Sequence, residues 1–116
     1  MTAKDLSTAV ASETNRRLEV SVEKIRHCID QLSDDQLWWR PAEPMNSIGN
    51  LVLHLSGNLR QWIVAGVGGA IDNRNRPEEF SERGPISRED LLGLLDLAVN
   101  DSREALAGIT AEGLLQ

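Results

Sequence analysis

Apolar residues recur at helical spacing from Leu6 onward, most clearly at Leu18, Val22, Ile25, Ile29 and Leu32, while Arg17, Glu23, Lys24 and Asp30 lie elsewhere on the wheel. This pattern predicts a long first helix over residues 4–32. Ser33 and Gln36 fit a capping box for one more turn, SDDQL, and the following WWRPAEP carries two prolines that stop regular structure. Asn46 or Ser47 can cap a second helix from Ile48 to about Gly66, which is apolar nearly all round, with Arg60 its only charged side chain. A helix of that kind is usually buried, and Ile48, Leu51, Val52, Leu55, Leu59 and Ile63 are its expected core.

Residues 67–86 combine Gly68, Gly69 and Gly84 with two prolines and many charges, the composition of a long crossover loop. Ser87 with Asp90 makes a second capping pair, and Leu91, Leu95, Ala98, Ser102 and Ala105 share one face, with Leu92, Val99 and Leu106 beside it. Residues 88–108 are therefore a third helix, ended by Gly108. Thr110 can cap another, of which AEGLLQ would be barely a turn, so the sequence reads as finishing mid-architecture. The short connector makes helices one and two antiparallel neighbours, and a crossover of about 20 residues lets helix three run parallel to helix two. There is no strand signal and no repeat. The expectation is an all-α chain forming one helical domain over residues 1–116.

Charge and composition narrow the partners. Eighteen acidic against twelve basic residues leave a net charge of −6, with the basic ones scattered, which argues against nucleic acid. The single Cys28 cannot form an internal disulfide and the N-terminus has no apolar signal core, so a cytoplasmic location is expected. The longest apolar run, Trp62 to Ile71, is half of what a spanning helix needs, and no membrane association is expected.

At about 100° per residue, Ser47, Asn50, His54, Asn58 and Gln61 fall in one narrow strip of helix two. The strip is either the wet face of an amphipathic helix or an interior polar site. Its lack of Lys and Glu, in a helix otherwise too apolar for exposure, favours the interior reading. An imidazole there can be a metal ligand, a proton shuttle or a core histidine with both nitrogens bonded, and spacing does not choose among them. His27 shares its strip with Glu23, Lys24, Asp30 and Gln31 and reads as a surface residue. Cys28 reads as a small buried hydrophobe. Trp38, Trp39 and Trp62 read as core or as plugs at the end of a bundle. RNRPEEF is either a solvated loop anchored by Phe80 or a lid whose charges face the bundle mouth.

The string LSDDQLWWRPAEPMNSIGNLVLHLSGNLRQWIVAGVGG, with the later RNRPEEF, resembles the first half of DinB/YfiT-like proteins, a superfamily of small bacterial metalloenzymes. The telling feature is Asn46-Ser47-Ile48-Gly49 leading to His54-Leu55, where family members carry their first metal-binding histidine. The resemblance implies an up-down-down-up four-helix bundle, represented by about three helices with the last missing. It implies that His54 is one of three histidine ligands for nickel, zinc or a similar divalent ion. The other two are absent, because no histidine follows His54. Relatives include transferases and isomerases that use a low-molecular-weight thiol.

Two functions stay open. One is a metal-dependent transferase or hydrolase of a small-molecule substrate, with His54 as a ligand and Asn50, Asn58 and Gln61 as candidate substrate contacts. The other is a non-catalytic helical module that associates with itself, because three helices of such a bundle leave an apolar groove that a homodimer would close.

Overall fold

The computed structural model describes residues 2–84, 86–110 and Glu112, and among them every regular element is helical. Helix α1 spans Ala3–Asp30, opened by a capping box in which Thr2 and Asp5 satisfy each other's backbone. Helix α2, Asp34–Trp38, is the turn signalled by Ser33 and Gln36, whose reciprocal bonds are both made. Helix α3 runs Ile48–Leu59 and continues as a π-helical segment over Arg60–Ala65. Helix α5 spans Arg88–Ala107, capped by the Ser87 hydroxyl. No described helix is long and apolar enough to cross a membrane.

The expected crossover loop contains a helix that the pattern did not announce: α4, Arg76–Ser81, capped by Asn75 and carrying Pro77 in its first turn. It docks on α3. Trp38 supports the same end of the molecule. Its indole lies between Gly49, where a Cβ would fall 2.8 Å from the ring, and Gly84, which turns the chain at φ 65°; its Nε1 donates to the Ile86 carbonyl. Trp38 thus plugs the end as expected, whereas Trp39 and Trp62 are exposed.

The core gathers on α5, not on α3. Leu91, Leu92, Leu95, Ala98, Val99 and Leu106 are buried, and Leu91, Leu92, Leu95 and Val99 pack with Ile29, Leu37 and Val52. That face was legible because charged residues interrupt every other side of the helix. The expectation that α3 is the most buried helix is overturned: Ile48, Leu51 and Leu55 are 41%, 47% and 40% exposed, and of the expected set only Val52 is fully buried. Both α1 and α3 take α5 as their main packing partner, and a groove separates them on its far side. An all-round apolar wheel says that three faces of α3 can be covered, not which ones are. Cys28, expected to be buried, lies exposed on that groove.

The N-terminal half of α1 carries its own surface pairs. Arg16, and to a lesser degree Arg17, hold the Glu13 carboxyl down from its ordinary 4.5 to about 2. A depressed folded pKa gives a contribution that is present above the unfolded value and lost as pH falls through about 2. Because the group is exposed, that contribution is small. A carboxyl NMR titration should place Glu13 well below the usual carboxylate range; a midpoint near 4.5 would show that the pair does not persist in solution.

Candidate functional site

The site starts at the first turn of α3. Ser47 Oγ accepts from the Asn50 amide at 3.1 Å, and Asn50 Oδ1 accepts from the Ser47 amide and hydroxyl at 3.1 and 2.7 Å. Asn50 Nδ2 then donates to the carbonyls of Glu79 and Glu82 at 2.8 and 2.9 Å. Arg40 donates to Asn50 Oδ1 and to the carbonyls of Met45, Phe80 and Glu82. The carbonyls at the end of α4, which have no partner within so short a helix, are therefore bonded by side chains from two other segments. Asn50, a candidate substrate contact from its strip, is fully buried, and its side-chain donors and acceptor are engaged within the chain as a bracket between α3 and α4.

One turn further along α3, His54 meets α4 and the loop before it. Arg74 grips Glu79 at both oxygens, Nε to Oε2 at 2.9 Å and Nη2 to Oε1 at 3.0 Å, and its Nη1 donates to Gln61 Oε1 at 2.9 Å. The side chains of Arg74 and Glu79 are only 6% and 10% exposed. Gly57 makes room for the pair, since a Cβ there would fall 1.8 Å from Glu79 Oε2. The hydrogen bonds that Arg74 donates to Glu79 hold its guanidinium above its ordinary pKa, so it stays a cation.

His54 Nδ1 lies 3.0 Å from Arg74 Nη2 and 3.3 Å from Glu79 Oε1. A guanidinium only donates. Nδ1 therefore accepts from it, and the proton of the neutral ring sits on Nε2. Phe80 tilts against the imidazole at 5.2 Å between centroids, and the Arg76 guanidinium stands over the Phe80 ring. The His54 side chain is 30% exposed. His27, by contrast, is exposed on α1.

The polar strip thus divides. With Asn50 as zero, His54 and Gln61 fall within about 40° of it on the face covered by α4, while Asn58 sits at about 80°, beyond the footprint of α4. Asn58 is accordingly exposed. The RNRPEEF segment is no solvated loop: Glu79 is buried and Phe80 half-buried against α3. What the pattern missed was Glu79, on an element that it did not reveal, and Arg74, five residues earlier in the loop before that element. The signal that could have found α4 is Asn75 as a cap, Pro77 at the start and Glu78 with Glu79 in the first turn.

Among the described residues no group of three His, Cys, Asp or Glu is placed to hold a metal ion. They offer one imidazole with a carboxylate behind it. A family model described as a protein of unknown function, DUF1572, matches residues 5–116. Neither the curated proteins nor the solved structures gave a match.

Proposed function

Because the chain belongs to the DUF1572 family, which lies within the DinB-like clan, we propose that it is a DinB-like helical protein whose His54 is a ligand for nickel or zinc. The reaction class proposed with it is transfer or hydrolysis on a small molecule, of the thiol-dependent type. The observation that carries the reading is the place of the Glu79 carboxylate, 3.3 Å from His54 Nδ1, where it would take the Nδ1 hydrogen bond if Nε2 held a metal, since a ligating histidine is usually oriented by a carboxylate on its other nitrogen.

The donor set fits one position of a metal site, and the remaining ligands would come from outside the described residues. A bound divalent ion would supply a Lewis acid that lowers the pKa of a thiol or water. The chain's own residues set the proton inventory. Were His54 to hold a metal through Nε2, the ring proton would stand on Nδ1 and be donated to Glu79 Oε1, in place of the bond that Nδ1 accepts from Arg74 Nη2. Arg74 keeps Glu79 aimed through the other two contacts, and Gln61 keeps Arg74. Asn58, free of the α4 interface, is the polar side chain of the strip left to meet a substrate.

Titration of the protein with Ni²⁺ and with Zn²⁺ by calorimetry tests this. Weak binding should fall at least tenfold in His54→Ala while Asn58→Ala binds metal as the wild type does. Equal affinity in wild type and His54→Ala would remove His54 from any metal site. A second reading, a non-catalytic module that associates with itself, is supported by the exposed Ile48, Leu51 and Leu55.

A further inference from the structure

Among the described residues, every arginine but one turns its guanidinium onto an oxygen of the chain. The exception is Arg76, which makes no such bond and stands over the Phe80 ring, 5.2 Å from its centroid. Arg74, two residues earlier, shows the opposite use: its side chain is 6% exposed and its donors are spent on Glu79 and Gln61. The Phe80 ring in turn lies 5.2 Å from the His54 imidazole. The free cation is thus held within about twice that distance of His54, close enough for one small molecule to span.

Arg76 also lines a surface pocket of about 600 Å³ together with Gln61, Asp72 and Asn75. Gln61 Oε1 accepts from Arg74 Nη1 at 2.9 Å, and Asn75 Oδ1 accepts from the Glu78 amide at 3.4 Å. Each amide therefore has its acceptor end occupied, and what it has left to offer is an NH2 group, which only donates. A guanidinium with all its N–H groups uncommitted and two amide nitrogens converge on one pocket.

We propose that this pocket takes the carboxylate of a small molecule, with both carboxylate oxygens on Arg76. Its identification as the substrate of the His54 site rests on the reading of His54 as a metal ligand. The donors select the group. A guanidinium presents its N–H groups in a planar fork that matches the two oxygens of a carboxylate, and the ring beneath Arg76 holds the cation without consuming any of them. Asp72 selects against a more highly charged anion: its Oδ1 accepts from the Arg74 amide at 2.9 Å, and its negative charge stays in the pocket.

The test is a titration of the ¹⁵N-labelled protein, with no metal added, by sodium acetate at an ionic strength held constant with sodium chloride. The Arg76 Nε–H and the Gln61 side-chain amide should shift together on one saturating curve between about 1 and 100 mM, the range for a single bidentate contact. Arg76→Gln should weaken that curve about fivefold or more, and so should Arg76→Lys, which keeps the charge and loses the fork. Arg16→Gln, which removes a surface charge on α1, should titrate as the wild type does, and all three should keep the wild-type circular dichroism. Shifts that never saturate overturn the proposal. So does an acetate curve that either Arg76 variant leaves unchanged, or tighter binding of inorganic phosphate than of acetate. Nickel at His54 and acetate at Arg76 are read in separate titrations, so either reading can fail alone.

Discussion

Leu95→Ala is expected to lower the unfolding free energy by about 2–5 kcal/mol, the range for truncating a fully buried leucine. Leu95 is 1% exposed and sits in the cluster that joins α5 to Ile29 of α1, Leu37 of α2 and Val52 of α3. Removing its branched end leaves a void where four helices meet, and none of them can move in without leaving another neighbour. Small domains have only about 5–15 kcal/mol in all, so a melt in urea should shift visibly. Leu55→Ala, measured at a concentration too low for self-association, should cost less than about 1 kcal/mol, as a residue at a partly exposed position does. Equal losses at the two positions would show that the core is not on α5.

Glu79→Ala is the second large effect, about 2–3 kcal/mol. The substitution strips the Arg74 guanidinium of its two carboxylate bonds while only 6% of that side chain reaches solvent. Breaking a deeply buried pair costs about 3–5 kcal/mol, and the lower figure applies because a single six-residue helix covers this one. The double variant Arg74→Ala with Glu79→Ala should be more stable than Glu79→Ala alone, since no uncompensated cation remains. If it is less stable, the pair acts through packing rather than charge. Amide exchange should quicken over residues 76–81 in the single variant, with α5 unchanged.

How much of this could be read in the sequence depended on contrast. The α5 face was legible because Glu89, Asp90, Asn100 and Glu104 mark the sides that face water. Helix α3 offers no such contrast, so its start, its cap and its helicity were readable while its orientation was not. The covered face is decided by α4 and α5, which arrive from later in the chain, the Glu79 contacts with His54 and Asn50 spanning 25 and 29 residues. The pairing of Asn50, His54 and Gln61 on one strip was legible, but their separate roles were not. Asn50 became a bracket because α4 ends with carbonyls in need of donors, and α4 itself is too short to show a period. Gln61 was placed correctly although the backbone around it is π-helical over Arg60–Ala65, a widening that no wheel anticipates.

Asn50 holds two helix ends at once: its Oδ1 closes the cap of α3, and its Nδ2 holds the last carbonyls of α4. Lifting α4 off His54 is therefore not the swing of a hinged flap. The amide that must let go of Glu79 and Glu82 is the one that keeps the first turn of α3 wound, so disturbance at either end is felt at the other. The two events draw on one local unfolding equilibrium, and access to the imidazole from the α4 side is rationed by how often that turn comes undone.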